Sequence, residues 1–229
     1  TENLISLEAD NITISGFTID GDSSTSVGIY FDDCSFININ NNVVQNNIDY
    51  GIIYSNSSPT IEHNDIKNNI SSGIDISAGG AGAIRDNSLI NNRYGIRSYA
   101  DSSPEITRNN ISSNNTGMYC RGSATPIISY NTISNNTGYG IFIDDLLGNS
   151  VNPDIGGGDR NSDGQNKIRG NFIHGVNNET THNIYAKNNW WGDAAGPKYP
   201  YHTSSTGDWA YWSGTGREII FTPHLTTEP

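Results

Sequence analysis

The stretch TIEHNDIKNNISSGIDIS, residues 60–77, returns with other side chains between the same fixed points as AIRDNSLINNRYGIRSY over 83–99 and EITRNNISSNNTGMYCR over 105–121. Each copy places an Asn two residues before an apolar strand position, then an Asn-containing pair, then Gly followed by an apolar residue. Extended in both directions, the first Asn marks Asn42, Asn64, Asn87, Asn109, Asn131 and Asn171, spaced 22, 23, 22, 22 and 40. Gly28, Gly51, Gly73, Gly95, Gly117 and Gly140 follow at 22 or 23 residues. The pairs Asn46-Asn47, Asn68-Asn69, Asn91-Asn92, Asn114-Asn115 and Asn135-Asn136 keep the same phase. A unit this short, made of brief strands with no helical period, cannot bury its apolar face alone, so successive units must stack. The pattern predicts an all-β fold, a parallel β-helix solenoid of about 22 residues per coil.

Alternation assigns the faces. The residue after Gly and the one two further on point inward: Ile29/Phe31, Ile52/Tyr54, Ile74/Ile76, Ile96/Ser98, Met118/Cys120 and Ile141/Ile143. The outward ladder between them reads Tyr30, Ile53, Asp75, Arg97, Tyr119, Phe142 and then Tyr185. Eight coils at about 4.8 Å per rung would give a rod roughly 35–40 Å long. The recurring Asn is expected in the left-handed conformation at a sharp turn, its amide stacked along the axis. The β-helix is expected over 1–192 with a loop insertion at 144–166. Residues 193–229, flanked by Trp190 and Trp191 and holding Trp209 and Trp212, are read as a segment that caps the open end.

Composition narrows the function. Twelve Lys and Arg against 24 Asp and Glu leave a net charge of −12, which excludes the basic patches that nucleic-acid backbones and anionic membrane surfaces require. No apolar run approaches the roughly 20 residues of a membrane-spanning helix. Hydrophobic residues make up only 34%, which suits a thin apolar column better than a layered core. The charge is expected to lie mostly in loops and in the insertion, where its partners are Ca²⁺ and water. The start at Thr1, without an initiator Met, is read as a processed or excised piece.

The run Ala9-Asp10-Asn11-Ile12-Thr13-Ile14-Ser15-Gly16-Phe17-Thr18-Ile19, the two repeated markers and the ending Asn188-Asn189-Trp190-Trp191-Gly192-Asp193-Ala194-Ala195-Gly196-Pro197 resemble secreted right-handed parallel β-helix repeat proteins of archaeal and bacterial surfaces. The resemblance covers nearly the whole chain. It implies a right-handed coil and an extracellular or cell-surface location. Such proteins include adhesion and surface-layer modules, carbohydrate binders, polysaccharide lyases and a periplasmic copper-associated protein. It also implies that Thr1-Glu2-Asn3 continues a strand already begun.

Lyases of this fold hold Ca²⁺ with strand-borne acids and use Arg or Lys as base. The outward ladder offers Asp75 and Arg97 one rung apart, a spacing that also suits a surface ion pair. Asp32-Asp33 and Asp144-Asp145 lie five rungs apart, about 24 Å, too far for two carboxyls to share a glycosidic bond. Tyr30, Tyr99, Tyr119, Phe142 and Tyr185, with Asp75 and Arg97, form the candidate carbohydrate surface; stacking between rungs is the competing role of the rings.

In the insertion, Asp159, Asn161 and Asp163 place oxygen ligands at alternate positions before Gly164, as in the first half of a Ca²⁺ loop, with Asp144 or Asp154 to complete the set. The competing reading is ordinary turn chemistry. His63, His174, His182, His202 and His224 are too scattered for copper. Cys120 is expected in the core, and Cys34 on a loop, free for an intermolecular disulfide. No cofactor is required on this reading. The sequence favours a non-catalytic structural or adhesive module that self-associates through its sides or ends, with a polysaccharide binder or lyase as the alternative.

Overall fold

The computed structural model describes residues 2–22, 24–145, 150–199, 204–213 and 217–229. Among them the fold is all-β, and no helix is long and apolar enough to cross a membrane. The strands form three parallel sheets of nine, nine and seven members, each strand pairing with those three elements before and after it in the regular coils. One turn of chain contributes one strand to each sheet.

The first sheet is the widest. Its rungs, numbered here 1 to 9, are Asn3–Leu7, Val27–Asp32, Tyr50–Ser55, Ser72–Ser77, Tyr94–Tyr99, Thr116–Arg121, Tyr139–Asp144, His174–Glu179 and Ala210–Trp212. The second sheet begins with Thr13–Ser15 and ends with Ile219–Ile220; the third runs from Thr18–Asp20 to Lys167–Arg169. Rung 9 and Ile219–Ile220 come from the segment expected to be a cap. That segment therefore extends two sheets, while Trp191, fully buried, closes the core with Phe221 against it at 6.4 Å.

β-branched residues stack inside. Ile29, Ile52, Ile74, Ile96, Met118 and Ile141 pair in register and are fully buried, each Ile contributing about 2–3 kcal/mol of burial. Phe31 and Tyr54 stack at 5.2 Å, and the Tyr54 hydroxyl donates to the Ala81 carbonyl.

Two corners of every regular coil are held by buried Asn side chains. In the first ladder, Asn42, Asn64, Asn87, Asn109, Asn131, Asn166 and Asn189 follow one another. Each of the first six donates both its main-chain N–H and Nδ2 to the next Oδ1, at 2.9–3.1 Å. In the second, Asn47, Asn69, Asn92, Asn114, Asn136 and Asn171 do the same and end on the carboxylate of Asp208, which accepts from Asn171 N at 3.0 Å and Nδ2 at 2.7 Å. Asn171 thus belongs to the second ladder, and the 40-residue spacing joins two different ladders. Both true steps across the insertion, Asn131 to Asn166 and Asn136 to Asn171, are 35 residues. The added residues fall on either side of Asp154–Gly156, which stays in the second sheet.

The left-handed residue is not the ladder Asn. It is the one before it: Asn41, His63, Asp86, Arg108, Tyr130, Gln165 and Asn188 all have φ between 56° and 61°. That position is tolerant of type because its side chain leaves the rod, whereas the amide that follows is fixed by its bonds. The glycine marker has the same origin. A Cβ on Gly73 would lie 2.8 Å from the Gly95 oxygen and 3.1 Å from Asn92 Nδ2, so the second ladder occupies the space a side chain would need.

Neighbouring substitutions are therefore expected to diverge. Asn64→Ala strands donors and acceptors on three coils and should destabilise by about 2–4 kcal/mol. His63→Gly relieves a left-handed residue and should be neutral or stabilising by up to about 1 kcal/mol. Denaturant midpoints of the two variants check the contrast.

Candidate functional site

The outer face of the first sheet gathers the aromatic and charged side chains. Its middle column runs Tyr30, Ile53, Asp75, Arg97, Tyr119, Phe142, Asn177 and Tyr211. Tyr185 is not in it; it pairs with Asp154 and Ile220 in the second sheet. The column was misread there because the insertion hides the period, and Asn177 takes the next rung.

Asp75 and Arg97 meet. Arg97 Nε lies 2.6 Å from Asp75 Oδ2, which also accepts from Ser72 Oγ at 3.0 Å, while Asp75 Oδ1 has no protein partner. Although it points outward, Asp75 is completely buried. The guanidinium lies over it, 4.7 Å from the Tyr99 ring and 5.7 Å from the Tyr50 ring, with Nη2 donating to Tyr50 Oη at 3.4 Å. Burial pushes the Asp75 carboxyl above its ordinary range, and the Arg97 charge and hydrogen bonds oppose that rise. An acid covered by its own base has no face left for a substrate.

Beyond Arg97 the rings form one run. Tyr94 stacks on Tyr119 at 5.3 Å, Tyr119 meets Phe142 at 5.4 Å, Phe142 meets Tyr139 at 4.9 Å, and His174 joins Tyr139 at 5.8 Å and Tyr211 at 4.4 Å. Three of these contacts are stacked, and Tyr119–Phe142 and Tyr139–His174 are tilted. Tyr119 is 9% exposed and its hydroxyl donates to Asp144 Oδ2 at 2.8 Å; burial and that carboxylate raise its pKa. Tyr50, Tyr94, Tyr139 and His174, each directly before a Gly, were missed by strict alternation. The glycine turns its bare side inward against the second ladder, as Gly51 does against Asn69 and Ile66, so the residue before it faces out. The recurring aromatic before Gly was the available signal.

The right-handed β-helix region profile matches residues 3–88 and 27–197, which together take in most of the chain. The chain belongs to the right-handed β-helix family. No curated protein and no solved structure matches it.

In the insertion of this β-helix, the described residues expected as Ca²⁺ ligands are turned to separate partners or to solvent. Asp154 is buried and turned onto its own loop: Oδ1 accepts from Gly156 N and Gly158 N, Oδ2 from Arg160 N and Ser162 N, at 3.0–3.1 Å. Four backbone donors engage the carboxylate and fold the loop around it. Asp163 accepts from Tyr130 Oη at 2.9 Å and Asp144 from Tyr119, while Asp159 and Asn161 point to solvent. Among the described residues no three acids, His or Cys converge as metal ligands; His202 lies outside those residues.

Both cysteines are free and buried. Cys34 is 5% exposed within the core cluster, its Sγ 3.2 Å from the Asp32 carbonyl and 3.6 Å from that of Leu7. Burial raises its thiol pKa. The residue expected on an open loop is packed at the edge of the core, beside a surface hollow lined by Leu7, Asp32 and Asp33. Cys120 lies in the core as expected, its thiol pushed up to about 12 by burial.

Breaking the buried pair from one side strands a charge. Arg97→Met is expected to destabilise by about 3–5 kcal/mol, and Asp75→Leu combined with Arg97→Met to recover most of it. With its partner gone, Asp75 has a folded pKa above its unfolded value, so stability is retained below the unfolded pKa and falls as pH rises through the folded one. Denaturation from acid to neutral pH should show the Arg97→Met penalty shrinking as pH is lowered.

Proposed function

We propose that this β-helix is a non-catalytic extracellular structural or adhesive module, a stiff rod that takes its place in a cell-surface layer, sheath or larger surface protein by association of its flanks. The observation that carries this reading is that the chemistry-bearing side chains in the middle of the broadest face, from Asp75 to the aromatic run, are spent on one another. Asp75 is neutralised by Arg97, Asp144 accepts from Tyr119, and the rings from Tyr94 to Tyr211 pack against one another in series. The family supports a structural or polysaccharide-related module, and pairing of this kind suits the structural one.

The aromatic run favours a second reading, a polysaccharide-binding face with Arg97, Tyr99, Phe142 and Tyr139 as its half-buried members. The polymer would lie along the axis and meet ring edges, a weaker platform than exposed ring faces. A screen against acidic and neutral polysaccharides with Ca²⁺ present separates the readings. The structural reading expects neither rising uronate absorbance nor release of reducing ends. Binding abolished by Tyr139→Ala in a folded protein would replace it with the second reading, and turnover of any polymer would overturn it.

A further inference from the structure

The net charge is unevenly placed along the rod. Ten Asp and Glu precede Lys67 and no Lys or Arg does, whereas the 14 acids from Lys67 onward face 12 bases. Residues before Lys67 therefore carry −10 and the insertion −4, while the remainder of the chain is +2. The outer face of the first sheet carries this asymmetry. Glu2 stands just before rung 1, and Asp32 and Asp33 at and just past the end of rung 2, all exposed.

Three arginines follow on the same face. Arg93 stands just before rung 5, Arg97 in its middle, and Arg121 at the end of rung 6. Arg93 is exposed, Arg121 half-buried, and neither has an ion-pair partner among the described residues. Arg93 lies 5.1 Å over Tyr94 and Arg121 5.9 Å over Tyr119. Between the two charged zones, the half-buried Ser55 and Ser77 end rungs 3 and 4, while Arg97 with the Tyr50 and Tyr99 rings lies over Asp75 in the middle.

We propose that this face is the interface of an antiparallel homodimer, with its two-fold axis perpendicular to the sheet between rungs 3 and 4. The proposal rests on the structural reading above and names the flank through which the rods associate. A two-fold rotation there lays rung 2 over rung 5 of the second copy and rung 1 over rung 6, and reverses strand direction. The end of each strand then meets the start of its counterpart. Asp32 and Asp33 come over Arg93, Glu2 comes over Arg121, and Tyr30 comes over Arg97. Each contact occurs twice, as an isologous interface requires. Complementary charge sets the register, and Tyr30 and Tyr50 supply half-buried apolar surface.

Sedimentation equilibrium of the full chain at low and high ionic strength tests this. The expected result is a dimer that weakens with salt, weakens at least about tenfold with Arg93→Glu or Arg121→Glu, and regains affinity when Arg93→Glu is combined with Asp32→Arg and Asp33→Arg. Circular dichroism checks that each variant keeps its fold. A monomer at every concentration and ionic strength overturns the proposal. So does a dimer indifferent to both arginine substitutions, which would mean association by another flank and leave the structural reading standing. Polysaccharide turnover by a dimer with the expected charge dependence would do the reverse.

Discussion

The fold depends on one constraint: an amide donor and acceptor must be supplied at every buried corner, coil after coil. Where the chain turns between sheets, main-chain groups leave the strand ladders and would be orphaned inside the rod. Asn64 meets that need with an Nδ2 that donates to Ile39 O in the preceding coil, Glu62 O in its own and Asn87 Oδ1 in the next, and an Oδ1 that accepts from Asn42. Among the ladder amides only Asn47, at the start of the second ladder, leaves its Oδ1 without a partner. Unpaired buried amides cost about 1–3 kcal/mol each, so loss of a ladder side chain is penalised at every coil it touches. The inward glycines, the left-handed residue before each Asn and the short three-residue strands all follow from making room for that column.

This explains how the rod stands with so small an apolar fraction. A solenoid needs only a file of isoleucines one side chain deep from each sheet, and the polar corners are satisfied internally. Asp208 extends the logic to the end of the second ladder. There a carboxylate accepting three N–H bonds from Gly170 and Asn171 replaces the amide, and, having no N–H of its own, it needs no acceptor in a further coil. Burial raises its pKa while those donors oppose the rise. The first ladder ends on Asn189, whose Nδ2 turns back to the Ile155, Ala186 and Lys187 carbonyls.

Much of this was legible in the sequence because period 22 and alternation are strong signals. Inward Ile29, Ile52 and Ile74 and the stacked strands followed directly. Three things were not legible. Asn171 matched the motif of the first ladder by composition, although only the three-dimensional phase tells the two ladders apart. Tyr50, Tyr94 and Tyr139 lay on the outer face because glycine breaks strict alternation. Asp154 read as a cation ligand because a carboxylate among loop glycines looks the same whether it will bind a metal or its own backbone. Along the outer face, the pairing of Asp75 with Arg97 was visible as a spacing, but its complete burial was a matter of which rings lay over it.

The most direct measurement of the central claim is native-state hydrogen exchange at the main-chain amides of Asn64, Asn87 and Asn109, which bond to side-chain oxygens and not to strands. If the ladders hold the coils together, these corner amides exchange only through global opening, with protection equal to that of the Ile52 and Ile74 strand amides. Exchange at these positions as fast as at exposed turn residues such as Ser58 or Asp101, while the strands stay protected, would contradict it.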